Sequence, residues 1–585
     1  MADRTTVENK KAGQAQLAGK SLAQRVEQRH KNWTGSTERN NFELRVRDVI
    51  KYCRPDLRQY ISGAPGKSRG AEIYTNKPQT DLEHASDAFC GNVFLQFGWF
   101  KFSTGVPELD ADNETQKWSQ RQEDHMYRTY ADRGFYEVMP PLAMDAFSLG
   151  EGAMFLGLED DGPSYEYCEM MATWFRRDRR GRITAMHRRH DFSAAEAYER
   201  WGLDCSDELV RCATGSDNDR RFSFIQAVYS ATDPILHGIT LPKTERGDDF
   251  VQIWIQERSR KNELPGDALQ GVLGKLETYP EMPLISWPYW WKNNETYGRA
   301  ALHLATVMRL QGFAKDTMLA SQRLVAPPLV GSRSLADALD LSGDGVTWKD
   351  NPGDSLEPVY KGAIRYDFGV DLIQRTGEEI ENMLHLPVFK AMTYMAQQNM
   401  RVDQVLEIIG EKAASLMGRL GLLDRLFLQR VHERTWAIEW RAGRIEPPPA
   451  KVAEYMERRQ EQNAVQGRHE SGMPLRVQYK GPLSYAQESL FLRRRVAMGL
   501  SGVRVLSEMG PEMATQVIDR INGDVAAEWI LDQSGFLQAA IASNEDVNDR
   551  RAERRELERA QMNADLGKTQ SEAARNLSQV AKETA

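Results

Sequence analysis

The pair Pro327-Pro328 sets the strongest constraint on this chain. Proline lacks the N–H that a helix interior needs, and the residue before it is pushed out of the α region. Upstream, from the turn Tyr297-Gly298-Arg299, run roughly 28 residues with one glycine and no proline, enough for about 40 Å of helix at 1.5 Å per residue. Leu304, Val307, Met308, Leu310, Phe313, Ala314, Met318 and Leu319 cover more than one narrow stripe of that helix. A helix with so wide an apolar face packs against neighbours on more than one side. It carries no recurring catalytic residue type and reads as a strut.

A second helix is expected over Phe368–Leu384, with Phe368, Leu372, Ile380, Met383 and Leu384 as its apolar positions and Pro387 as its end. Between the two lies Gly331–Lys361, rich in Gly, Asp, Ser and Pro, a small loop-and-strand unit. Two long helices flanking a small unit make a stalk with a tip.

Elsewhere a helix is expected near Leu22–Trp33 and another over Glu123–Tyr136. From Met144 to about Trp290 the pattern turns to strands. Phe250–Gln256 alternates, with Val251, Ile253 and Ile255 on one face. Ser193 and Glu196 form a capping box that starts a helix. Val402 to Met417 and Leu423–Arg441 read as amphipathic helices, the latter closed by Gly443 and Pro447–Pro449. Residues 450–585 read as mainly helical, ending in a mixed-sign solvated tail. The fold class is α+β, mainly helical.

Candidate chemical motifs fall short of their templates. Gly63-Ala-Pro-Gly-Lys-Ser68 ends like a phosphate-binding loop, but Ile61 stands where the first glycine belongs and no strand precedes it. His432-Glu433 lacks the second histidine of a zinc helix, since position 436 is Trp. Asp110–Glu114 lacks the glycine and distal Glu of a calcium loop and reads as a surface acidic loop. The five cysteines form no C-x-x-C and suit buried free thiols in a reducing compartment. The aromatic group Phe89, Phe94, Phe97, Trp99, Phe100 and Phe102 suits core packing. The densest basic run, Arg176–Arg182 with Arg188 and Arg189, has the composition of a nucleic-acid patch, but without interleaved aromatics it better suits a hairpin turning at Asp178–Gly181, its arginines on the wet face or paired to a neighbouring acidic subunit. A net charge of −8 argues against a tight nucleic-acid binder. No run of about 18 apolar residues marks a membrane span.

Several segments resemble one family. Tyr297-Gly298-Arg299, the long helix with a polar interruption, and its Pro327-Pro328-Leu329 end are similar to the portal proteins of short-tailed bacteriophages, the head-to-tail connectors. So are Asp145–Leu156, the segment Arg179–Glu196 and Arg441-Ala-Gly-Arg-Ile-Glu-Pro-Pro-Pro449, in the family's order over about residues 20–560. The resemblance implies a portal-type ring subunit. Its wing would take residues 1–295, its stem helices 296–326 and 363–387, and its clip 327–362. The wing return with a tunnel loop would take 388–450, and a helical crown with the tail 451–585. It further implies a homo-oligomeric ring, typically a dodecamer, at one capsid vertex of the virion. Its partners would be the large terminase ATPase, major capsid and scaffolding proteins, tail adaptors and double-stranded DNA passing through. No catalytic residue, cofactor or membrane is expected.

Two residue sets follow from that expectation. A tunnel loop over Val388–Arg401 would bring Lys390, Met392, Thr393, Met395, Gln397, Gln398, Asn399 and Arg401 to the channel. Thioethers are soft and make no charged contact, so they suit a surface that slides past DNA. Asp344, Trp348, Lys349 and Asp350 would lie on the docking tip. A helical adaptor that forms no ring, and a cytoplasmic enzyme with an unrecognised site, are the alternative classes.

Overall fold

The computed structural model describes residues 20–62, 73–94, 98–159, 162–179, 181–242, 249–257, 269–292, 295–325, 329–331, 356–358, 366–390, 421–465 and 475–479, with scattered positions from 547 to 571. In chain order its main elements are α1 (Leu22–Thr34), α2 (Thr37–Cys53), α3 (Lys77–Val93), β1 (Phe100–Ser103), α4 (Asn113–Asp132), α5 (Phe135–Ser148), β2 (Glu151–Glu159), β3 (Gly162–Cys168), β4 (Thr173–Arg177), β5 (Ile183–Ser193), α6 (Ala194–Trp201), α7 (Asp207–Thr214), β6 (Arg221–Ser230), β7 (Phe250–Gln256), β8 (Val272–Tyr279), β9 (Leu284–Pro288), α8 (Leu304–Val325), β10 (Leu329–Gly331), β11 (Leu356–Pro358), α9 (Tyr366–Met383), α10 (Gln429–Arg441), α11 (Ala450–Val465) and β12 (Arg476–Tyr479). Helices and antiparallel sheets together make the fold α+β.

Strands β4 to β8 form one antiparallel sheet in sequence order. Its two faces bury different elements. Val251, Ile253 and Ile255 of β7 share a face and pack with Leu22 and Val26 of α1, as the alternation predicts. Trp254 faces the other way, against Ala194, Ala197 and Leu209 of α6 and α7. The Ser193 capping box is formed as expected, with its hydroxyl accepting from the Glu196 N–H. A second capping box, Ser21 with Gln24, opens α1. Helix α1 also brings His30 to a buried contact with His187, Nδ1 to Nδ1 at 3.2 Å.

The smaller sheet, β3-β2-β9, lies against α5. Helix α5 runs on to Ser148, past the Met144 boundary expected for the strand region, and Gly134 at φ +78 separates it from α4. Around it sits the largest core, which takes in Phe89, Phe94, Trp99, Phe100 and Phe102. Phe97 lies outside the described residues. His432 belongs to this core. It meets the Tyr130 hydroxyl at 2.6 Å, and burial lowers its pKa to about 3.

Strand β12 pairs antiparallel with β1, Phe100 opposite Tyr479. This differs from the expectation of a helical run from residue 450. The chain after α11 returns as a strand, because β1 offers an edge next to the aromatic core on which Tyr479 stacks against Trp99. Gly443, at φ +70, ends α10 as expected, with its N–H donating to Trp440 O and the Arg444 N–H to Glu439 O.

Two glycines fix where the long helices leave the body. A Cβ on Gly298 would fall 2.4 Å from Ser148 O, and one on Gly150 would fall 2.7 Å from Gly298 N. Gly150 also sits at φ +105, which disfavours any side chain. Gly298→Ala should therefore lower folding stability by ~3 kcal/mol or more, because rigid backbone rather than a flexible side chain must move. Gly312 of α8 has open space in front of it. Gly312→Ala should raise the stability of the isolated subunit by ~0.5–1 kcal/mol. Paired denaturant melts check both; equal effects at the two positions would contradict the assignment.

Candidate functional site: the helix pair and its anchorage

Helices α8 and α9 pack against each other as an antiparallel pair. Near its body end the pair is deeply planted. Val307 and Leu310 of α8, with Ile380 and Met383 of α9, belong to the largest core. Beyond Gln311 on α8, and before Thr376 on α9, no described residue of either helix is fully buried. Apart from Lys315 over the Tyr74 ring, the contacts described there are helix to helix. Gly369 lets α9 approach α8 so closely that a Cβ would fall 2.6 Å from Thr317 Oγ1. Arg309 of α8 and Glu379 of α9 form an ion pair across the seam. At the far end the chain enters β10 and returns through β11, paired antiparallel with Val330 opposite Glu357. The segment between the helices therefore starts and ends at one place.

The structure alters the expected start of the first helix. A single turn, Arg299–Leu302, precedes α8, with a break at His303. Arg299 accounts for it: its Nε donates to Met383 O at 2.7 Å, so the first turn caps α9 instead of continuing α8. Helix α8 then spans 22 residues, about 33 Å. Met308, Met318, Phe368 and Val370 remain exposed along the pair.

Polar side chains anchor the body end, chief among them Gln311, Lys77 and Glu381. Gln311, buried on the packed side of α8, accepts from the Tyr74 and Thr75 N–H groups at 2.8 and 3.2 Å and donates to Thr75 O at 2.8 Å. Lys77 Nζ lies 2.7 Å from Glu381 of α9 and 3.0 Å from the buried carboxylate of Asp81. Burial opposes the Lys77 charge, but Glu381 and Asp81 outweigh it and hold its pKa above the usual value. Lys77 in turn holds Glu381 below the usual carboxylate range. None of the three was singled out from sequence. The available signal was Gln311 itself, a polar residue among the packed positions Val307, Leu310 and Ala314.

The sequence-predicted sites are placed only in part. Lys390 is described and lies 3.3 Å from Glu381. Met392, Thr393, Met395, Gln397, Gln398, Asn399 and Arg401 lie outside the described residues, as do Asp344, Trp348, Lys349, Asp350 and Gly63–Ser68. The expected loop from Val388 begins differently. Residues 386–390 are helical, and Val388 and Phe389 are buried in the main core. Pro387 stands in the first turn of this short helix, a position that suits its fixed φ. The reversal before it is made by His385, at φ +59.

The arginine-rich segment is the hairpin expected, turning at Asp178–Gly181 with the Gly181 N–H donating to Asp178 O. Five of its arginines pair within the subunit rather than with a neighbouring one. Arg176 pairs with Glu38, Arg177 with Glu151, Arg182 with Asp178, Arg188 with Glu166, and Arg189 with Asp191 and Glu257. The hairpin also borders a cleft of about 740 Å³ lined by Arg182, Glu281, Arg425 and Arg434, among others. Arg434 is itself buried and donates to Leu156 O and Glu281. Among the described residues no cluster of metal-ligating side chains is found, and no helix is long and apolar enough to cross a membrane.

Because Arg177 and Glu151 are both largely buried, Arg177→Ala should destabilise the fold by about 3 kcal/mol, leaving a carboxylate without its partner. Arg176→Ala, at an exposed pair, should cost less than about 1 kcal/mol. Neither should change retention of duplex DNA on a gel at moderate salt. Loss of DNA binding in Arg176→Ala with unchanged melting would restore the nucleic-acid reading of this run.

No curated protein matches the chain. A family model does, the bacteriophage head to tail connecting protein, over residues 23–541. That span contains the Asp145–Gly152 segment, the Tyr297–Arg299 turn, the helix pair and the Gly443 turn. With the order of these elements and a match over most of its length, the chain belongs to the family of bacteriophage head to tail connecting proteins.

Proposed function

We propose that the chain is a portal subunit, and that copies of it close into a ring, a dodecamer, whose channel passes double-stranded DNA. In this reading the body is the wing, α8 and α9 are the stem, the segment between β10 and β11 is the clip, and the chain beyond β12 supplies the crown. The ring marks one capsid vertex and joins capsid and scaffolding proteins. It docks the large terminase ATPase during packaging, then takes tail adaptors and releases DNA at ejection. The work is mechanical, and the nucleotide hydrolysis belongs to the terminase.

One observation carries the reading. A helix pair is planted in the body at one end only, keeps apolar side chains exposed along its length, and returns the chain through a short strand pair at its tip. An exposed apolar face of this kind is suited to burial between copies, and head-to-tail contacts that repeat by a fixed rotation close into rings. The tip, held on rigid supports, suits docking. The chain after Lys390 leaves the body end of the pair, which suits a loop at the channel.

The test is genetic. In a phage with a nonsense codon in this gene, heads made under non-permissive conditions should contain no DNA, and supplying the chain in trans should restore filling. Heads that fill without it would refute the proposal. Reversing the charges of Asp344, Lys349 and Asp350 together should cut DNA-filled heads by about tenfold or more, since like charges meeting at a docking surface are costly. The subunits should still incorporate into heads; normal packaging by that variant would move the docking surface elsewhere.

A further inference from the structure

Residues Tyr74–Asn76 cross the planted end of the helix pair as a strap that leads into α3 at Lys77. Gln311 of α8 grips its backbone with three hydrogen bonds. Lys315 of α8 sits 5.7 Å from the centre of the Tyr74 ring. Lys77, the first residue of α3 after the strap, reaches α9, and its methylenes lie across Gly377, where a Cβ would fall 2.4 Å from Cε. Any larger residue at 377 would push the lysine off the helix.

Glu381 joins this strap to a second group. Its Oε1 lies 2.7 Å from Lys77 Nζ, and its Oε2 lies 3.3 Å from Lys390 Nζ. We propose that Lys77, Glu381 and Lys390 form a clasp that couples the chain leaving at Lys390 to the strap, with Glu381 as the positioning residue. The significance of that coupling rests on the reading that the chain after Lys390 faces the channel.

The clasp has a fixed side and a free side. Lys77 cannot leave without stripping Asp81, whose carboxylate is buried and lies 3.0 Å away. A buried charge left alone costs far more than an exposed one. Lys390 is the more exposed of the two lysines. In the closed clasp two ammonium groups face two carboxylates. Withdrawing Lys390 removes a like charge and leaves Glu381 to Lys77 alone, so Lys77 is drawn more tightly to α9 and the strap that precedes it is pinned more firmly. A displacement of Lys390 is therefore felt through one carboxylate at Tyr74 and Thr75, which Gln311 of the other helix of the pair holds.

Amide hydrogen exchange of the purified full chain tests this. Lys390→Met should slow exchange at Tyr74 and Thr75 and Glu381→Gln should speed it, each by about fivefold, the scale of a half-buried ion pair. The double variant should exchange at the same rate as Glu381→Gln alone, because Lys390 acts through Glu381. Additive effects, or unchanged exchange in Lys390→Met, would overturn the proposal. Retention of packaged DNA separates this from the reading it rests on. If exchange couples as stated while Lys390→Met heads hold DNA normally, the clasp stands and the channel placement falls.

Discussion

The close crossing of two backbones at Gly150 and Gly298 governs the rest of the structure. It brings the end of α5 and the start of the helix pair so near that neither position has room for a Cβ. Asp145, one turn earlier on α5, holds this junction to the N-terminal helices and to β3. Its carboxylate accepts from Arg54 at 2.5 Å and from the Tyr167 hydroxyl at 2.6 Å, and none of it is exposed. Burial pushes the Asp145 carboxyl up, while burial of Arg54 is outweighed by Asp145 and Asp56, which keep its guanidinium charged. A buried pair of this kind adds little net stability but is costly to break. It fixes where the helix pair stands relative to the sheets.

Charge is used locally throughout. The basic hairpin is neutralised by carboxylates from α2, β2 and β3, and Glu439 holds Arg444 and His125 at the α10 turn. Burial works against the Glu439 charge, yet the Arg444 hydrogen bond and His125 lower its pKa to about 2. With five arginines of the run paired and a net charge of −8, the subunit as a whole does not draw phosphates. That property suits the conduit proposed above, because each phosphate contact would tighten binding and slow passage.

The elements with local signals were legible in the sequence. Alternation marked β7, a capping box marked α6, Gly443 marked the end of α10, and apolar periodicity bounded by prolines marked the helix pair. The features missed depend on distant partners. Helix α8 starts at Leu304 because Arg299 is drawn to Met383 O, and β12 forms because β1 presents an edge to it; neither pairing leaves a trace near its own residues. The start of the expected tunnel loop was misread because Val388 and Phe389 lack helical periodicity over so short a run, though both are buried. Gln311 was visible only as a polar residue out of place, and its role became clear once the strap lay opposite it.

The central claim is that the exposed face of the helix pair is covered by another copy of the same chain in a closed ring. Electron microscopy of the purified full-length protein tests it most directly. The account predicts end-on views with rotational symmetry and a central channel, and side views in which a narrower stem leaves a wider body. Particles that remain monomers, or that close as two-fold dimers, at micromolar concentration and moderate salt would contradict it.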